Sequence, residues 1–249
     1  MIPSTGSVVY SAMVLTGLVA TILLWRHAAP RRDGSVDPRM FAVYLGALSG
    51  AYLGAKVAFL IAEGWRFRED GLALASGHSI TGALVGGVLG VELAKALVGM
   101  RQGTGDLFAL SVPLAVAIGR VGCLAAGCCP GVECAQSWWS VTDALGASRW
   151  PAAAVELLFN LAFLAWAIMA TQRGWLPGRR FAVYLILYGT FRFGHEFLRD
   201  DSRWWSSLGG YHLAALAILA TGLWLWYRRR VPGQSLIGLP GVSCKDAGG

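Results

Sequence analysis

Charge is what this 249-residue sequence has least of. Only 14% of its residues are Asp, Glu, Lys or Arg, against about a quarter in an ordinary globular chain, while 55% are hydrophobic and the mean hydropathy is +0.54. That shortage argues against a disordered chain and a soluble enzyme, because most of the sequence is too apolar to face water. Acidic residues are fewer than basic ones, 14 against 21, which leaves a formal net charge of +7. The basic residues cluster between apolar runs, so they read as membrane anchors and no nucleic-acid partner is expected. Also missing is any Lys or Arg ahead of the first apolar run, which Arg26 follows instead. A cleavable signal peptide needs that positive start, so the run is read as a retained helix.

What the sequence does have is apolar length. Runs near the 20 residues needed to cross a bilayer fall at 8–25, 40–62, 76–98, 106–125, 152–170, 180–197 and 211–227. The expectation is an all-α polytopic membrane protein, one integral membrane domain over 1–249 with seven transmembrane helices and a tail at 228–249. The third and sixth runs are the least apolar. Alternate loops carry 11 Lys or Arg on one side and 5 on the other. This bias places the N-terminus outside and the tail, with Arg228, Arg229 and Arg230, in the cytoplasm. Trp138, Trp139, Trp204 and Trp205 then belong to the outer interface. No soluble domain is expected beyond the loops.

Glycine recurs every fourth residue in two of the runs, as Gly46, Gly50 and Gly54 and as Gly82, Gly86 and Gly90. Small residues at that spacing let membrane helices approach closely, so these specify helix packing rather than a phosphate cradle.

Apart from Arg180, which opens the sixth run at its cytoplasmic edge, four basic residues lie inside the drawn spans: Lys56, Lys95, Arg120 and Arg192. A charge at membrane depth is costly and has a partner or a task. Lys95 is near a helix end and is expected to snorkel to the interface; Lys56 is open to either reading. Arg120 and Arg192 fall in the outer halves of their helices, as do His78, Thr81 and Glu156. Four helices thus bring polar groups to one side of the membrane. Tyr188, Arg192, His195, Glu196 and Arg199 share one helical face by their spacing. An Arg192–Glu196 ion pair would serve structure alone, but two arginines for one carboxylate leave positive charge for an anion. In an outer-leaflet cavity that anion is a phospholipid headgroup, which arginine grips bidentately.

Cys123, Cys128, Cys129 and Cys134 follow the Arg120 segment within twelve residues. A disulfide, a metal site and a reactive thiol are all open readings. Paired C-x-x-C or His spacings are absent, so no metal is expected, and no cofactor. Cys244, in the tail, is incidental.

These blocks resemble the prolipoprotein diacylglyceryl transferase family over most of the chain. The resemblance lies in the Gly46 to Lys56 stretch, where the family usually has Arg at the position of Lys56, in the Gly-rich run Gly77 to Gly90, and in Asp106 and Pro113. It continues in Gly119-Arg120-Val121-Gly122, in Pro151 with Glu156, and in Tyr188-Gly189-Thr190-Phe191-Arg192 through Glu196-Phe197-Leu198-Arg199. The resemblance implies a multi-pass enzyme of the bacterial inner membrane, with seven helices, the N-terminus outside and its active site toward the periplasmic or outer face. It would move the diacylglyceryl group of phosphatidylglycerol onto the lipobox cysteine of prolipoprotein precursors, releasing glycerol phosphate.

On that reading Arg120, Arg192 and Arg199 stabilise the leaving group, with Glu156 and Glu196 holding them in place. His78, His195 or Tyr188 takes the thiol proton, and Gly122 and Thr81 join Arg120, Arg199 and Glu156 around the substrate. The chain departs from the family where Thr81, Gly82 and Ala83 stand for a His and a Gly pair, with His78 one turn earlier. It also departs at Cys123, Ala126 and Cys128, where the family has Asn, Asn and Glu, and at Val155 in place of Tyr. The other functions the residues allow are a lipid or anion transporter and a related transferase or thiol redox protein with a changed acceptor.

Overall fold

The computed structural model describes residues 4–28, 31–32, 35–100, 103–129, 131–143, 145–201, 203–204 and 207–228. The tail with Arg229, Arg230 and Cys244, and also Trp205, lie outside the described residues. Eight α-helices are described: α1 Ser4–Ala28, α2 Pro38–Ala62, the short α3 Gly71–Ser76, α4 Ile80–Leu97, α5 Gly105–Ala126, α6 Ala152–Gln172, α7 Arg180–His195 and α8 Gly210–Arg228. Each expected apolar run falls on one long helix. Six of these are long and apolar enough to cross a membrane; α7, with 16 residues, is not among them. At 1.5 Å per residue it spans about 24 Å, less than a hydrocarbon core of about 30 Å. The chain is mostly helical rather than wholly so. Two short hairpins join Arg31–Arg32 (β1) to Ser35–Val36 (β2) and Val141–Thr142 (β3) to Ser148–Arg149 (β4).

Local chemistry sets the helix ends. Pro38 opens α2 with its fixed φ, and Asp37 caps it by accepting from the Arg39 amide at 3.0 Å. Gly127, left-handed at φ 61°, closes α5.

The helices pack mainly as pairs, α2 on α4, α1 on α5, α7 on α8 and α5 on α6. The glycine stripes meet each other: a Cβ at Gly46 would stand 2.6 Å from the Gly90 carbonyl oxygen, and Gly50 and Gly54 face Gly86 and Gly82 more closely still. Only glycine admits that approach of two backbones. A second seam joins α7 to α8, where a Cβ at Gly189 would lie 2.7 Å from the Leu219 amide nitrogen. Outward-facing Leu53, Leu93, Leu97 and Leu158 stay exposed along the helices, as lipid-facing side chains do.

Lys95 does not snorkel. It is buried and pairs with Glu92 at 3.2 Å, one turn back, and Arg228 reaches the other Glu92 oxygen at 2.8 Å. Lys56 is likewise committed, donating to the carbonyls of Leu74, Ala75 and Gly77 and so holding the end of α3. Where α5 and α7 begin, Asp106 accepts from Arg180 at 3.1 Å and from the Gly178 amide at 2.7 Å.

Candidate active site

The last third of α5, the start of α6 and the end of α7 converge on one buried carboxylate. Glu156, in the second turn of α6, is fully buried, and its Oε1 accepts from Arg120 Nη2 at 2.8 Å and from the Tyr188 hydroxyl at 2.7 Å. One turn along α6, Asn160 donates to the Glu156 backbone carbonyl at 2.8 Å and accepts from the Tyr184 hydroxyl at 2.9 Å. The carboxylate is fixed from three helices, and it fixes Arg120 in turn.

Beside it, Arg192 pairs with Glu196 at 2.5 Å, and Arg199 pairs with Asp201 at 2.7 Å. Two longer contacts tie these together, Arg192 to Asp201 at 4.0 Å and Arg199 to Glu196 at 3.9 Å. Arg199 is not on the α7 face. The helix ends at His195, one 3-10 turn covers Glu196–Leu198, and Arg199 is extended at φ −99°, ψ 151°. It arrives by pairing: the Val132 amide donates to the Leu198 carbonyl at 3.0 Å, and Gly131 bridges to Arg199. Gly131 is required there, since a Cβ would lie 2.5 Å from the Trp150 carbonyl oxygen.

The expected surplus of positive charge is absent, because Asp201 supplies a third carboxylate for three arginines. Burial opposes the charge on Arg199, but Asp201 outweighs it and holds the guanidinium above its ordinary range. The same pairing overrides the effect of burial on Asp201 and keeps its carboxyl below the usual value. What remains for an anion is donor capacity. Arg192 Nε and Arg199 Nη1 are buried with no hydrogen-bond partner among the described residues, and such donors are costly to leave unmet.

Those arginines face a cavity of about 630 Å³, bounded chiefly by α1, α2, α4 and α5. Arg120, Arg192, Arg199 and Asp201 line one end, and Phe181, Gly105 and Leu225 line the other. Gly105 and Arg120 are about 22 Å apart along α5. Gly119 leaves open space before Arg120, with nothing within 4 Å of where a Cβ would stand.

The remaining candidates divide by position. His78 lines the cavity, its ring 5.2 Å from Tyr52, while Thr81 is buried with its hydroxyl 2.7 Å from that of Ser79 and does not line it. Glu156, Tyr188, Glu196 and His195 stand behind the cavity wall. His195 Nε2 accepts from Trp150 Nε1 at 3.2 Å, and its ring stacks on Phe191. Gly122 faces α1, where a Cβ would meet Met13 at 2.9 Å.

All four described cysteines are free thiols. Cys123 and Cys129 line the cavity, and Arg120 Nη1 donates to Cys123 Sγ at 3.7 Å. Hydrogen bonds with Cys123 and Cys128, with the nearby Arg199 and Arg120, drive the Cys129 thiol below its ordinary range. Cys134 sits apart, its amide donating to the Ser148 carbonyl at 3.0 Å.

Reading the sequence missed Asp201, Asn160 and Trp150. The Arg199-Asp200-Asp201 run and the placement of Asn160 one turn after Glu156 were the available signals; nothing local marks Trp150.

Residues 3–228 match the family described as Prolipoprotein diacylglyceryl transferase. The chain is 29% identical to the "Phosphatidylglycerol--prolipoprotein diacylglyceryl transferase 2" of Clostridium perfringens, over 92% of this chain and 93% of that protein. It is 28% identical to the "Phosphatidylglycerol--prolipoprotein diacylglyceryl transferase" of Dehalococcoides mccartyi strain BAV1, over 93% of this chain and 94% of that protein.

Proposed function

The chain belongs to the prolipoprotein diacylglyceryl transferase family, and we propose that it transfers the diacylglyceryl group of phosphatidylglycerol to the lipobox cysteine thiol of prolipoproteins. The observation that carries this reading is the cavity with three arginines at one end and an apolar length beyond. A lipid seated there puts its phosphate against Arg120, Arg192 and Arg199 and its acyl chains among the helices, with membrane lipids as the supply. As the glycerol carbon–oxygen bond breaks, negative charge builds on the departing glycerol phosphate. Fixed guanidinium donors stabilise that charge without having to reorganise.

Glu156, Glu196 and Asp201 act as positioning residues, since each holds an arginine and only Asp201 also lines the cavity. Tyr188 positions as well, because its hydroxyl is committed to Glu156. His195 already accepts from Trp150, which leaves His78 as the imidazole on the cavity wall.

The membrane arrangement belongs to the same proposal. The chain forms a single integral domain of the bacterial inner membrane, with α7 as a short seventh span and the arginine centre toward the outer face. The N-terminus is outside, in line with the loop charges. Expression in a bacterium depleted of its own diacylglyceryl transferase tests the function. A model precursor should gain the diacylglyceryl mass on its lipobox cysteine; a well-inserted protein that leaves the precursor unmodified refutes the reading.

A further inference from the structure

Three thiols converge where α5 ends. Cys129 Sγ lies 4.0 Å from Cys123 Sγ and 3.8 Å from Cys128 Sγ, and all three sulfurs fall within 4.8 Å of one another. A tetrahedral zinc ion with sulfur ligands at 2.3 Å spaces those sulfurs about 3.8 Å apart. The trio therefore has nearly the spacing of three tetrahedral corners. A disulfide, by contrast, joins two sulfurs and leaves the third aside.

The backbone creates this convergence. Gly127 takes φ 61° and turns the chain, so that the Cys128 amide returns to the Cys123 carbonyl at 3.1 Å. Cys129 itself is left-handed at φ 59°, a conformation that a residue with a Cβ adopts only at a cost. A C-x-x-C search passes over the segment because the turn, not the spacing, brings the sulfurs together.

We propose that Cys123, Cys128 and Cys129 bind a thiophilic divalent cation of the zinc class through three thiolates, with its fourth position open to the cavity, where the acceptor thiol binds. Cys123 and Cys129 line the cavity and Cys128 does not, so the open side of the triangle faces the substrate space. Three protein ligands and one open position is the pattern of a reactive zinc site rather than a structural one. The cation would also stand beside Arg120, whose Nη1 is 3.7 Å from Cys123 Sγ.

The role of the fourth position rests on the transferase reading. A thiol that coordinates zinc gives up its proton, here to water. Its sulfur lone pair then forms the bond to the glycerol carbon as the carbon–oxygen bond breaks. That bonding pair leaves with glycerol phosphate, and nothing is oxidised or reduced. This departs from the expectation of no metal, which the cysteine spacing alone suggested.

The test uses the full chain, purified in detergent under reducing conditions and loaded with Zn2+ or Co2+. One equivalent of zinc per chain should survive gel filtration, and the cobalt form should show a thiolate-to-metal charge-transfer band. Cys123→Ser and Cys129→Ser should each lower the metal content at least tenfold, while Cys134→Ser keeps it. Zinc-edge X-ray absorption on the unmodified protein should give three sulfurs at about 2.3 Å, rising to four with a lipobox peptide but not with its Cys→Ser version. This measurement stands whether or not the serine variants fold.

Less than a tenth of an equivalent after loading, or a nitrogen and oxygen shell in place of sulfur, overturns the site. So does a disulfide in fresh protein that takes no metal once reduced. Bound zinc without lipid transfer in phosphatidylglycerol vesicles would sink the transferase reading and leave the site standing. Undiminished transfer by metal-free Cys123→Ser would do the reverse to its catalytic role.

Discussion

Arg120 and Glu156, 36 positions apart in sequence, meet at 2.8 Å as a buried pair between α5 and α6, and the Tyr188 hydroxyl accompanies them on the same carboxylate oxygen. Breaking a buried pair by removing one partner costs about 3–5 kcal/mol, whereas replacing both by apolar groups is often close to neutral. Arg120→Leu and Glu156→Leu should therefore each unfold much earlier in detergent than the parent. The double variant should regain most of that stability while still transferring no lipid. Single variants that unfold like the parent would show the pair to be unimportant for the fold.

Tyr188 separates positioning from contact. Its hydrogen bond to a charged group is worth about 1.5–3 kcal/mol, yet it does not line the cavity. Tyr188→Phe should lower kcat roughly tenfold and leave the KM for phosphatidylglycerol unchanged. A raised KM with normal kcat would instead place Tyr188 against the lipid.

Two glycines predict opposite outcomes. A side chain at Gly86 would collide with the α2 backbone, while one at Gly119 meets nothing within 4 Å. Gly86→Val should destabilise the protein by about 1–3 kcal/mol through overpacking. Gly119→Ala should unfold normally but raise the lipid KM, because the methyl group enters the space before Arg120. Thermal unfolding and vesicle kinetics on the two variants decide the matter.

Acid should loosen the β3–β4 hairpin. The hydrogen bond from Arg149, helped by the amides of Ala147 and Leu145, holds the Asp143 carboxyl below its ordinary value of 3.8. A depressed carboxylate contributes stability above the unfolded value and loses it as pH falls through the folded one. The hydrogen-exchange protection of residues 141–149, each rate taken relative to the unstructured rate at the same pH, should therefore fall only below about pH 4, and Asp143→Asn should be poorly protected at all pH values. A pH-independent hairpin in the parent would contradict this.

Periodicity explains how far the sequence could be read. Apolar runs and the glycine spacing are local patterns, and they located every long helix and both faces of the α2–α4 contact. Arg120, Glu156, Arg192 and Glu196 were legible because charge at membrane depth is conspicuous wherever it occurs, and Tyr188 because it stands one turn before Arg192. Asp201 was not, since a carboxylate in a loop beside another acid reads as solvent-facing; only the pairing of Arg199 with Gly131 shows that the segment folds inward. Lys95 misled because position along a helix suggests a route to water, while the partner Glu92 competes for the same ammonium.

Lipid transfer is tested most directly by a vesicle assay with the purified chain, phosphatidylglycerol as the lipid and a lipobox peptide as acceptor. Thioether formation and glycerol phosphate release should appear in equal amounts, and Arg120→Ala or Arg192→Ala should cut both at least a hundredfold. Release without thioether would contradict diacylglyceryl transfer, and full transfer by both variants would contradict the role of the arginines.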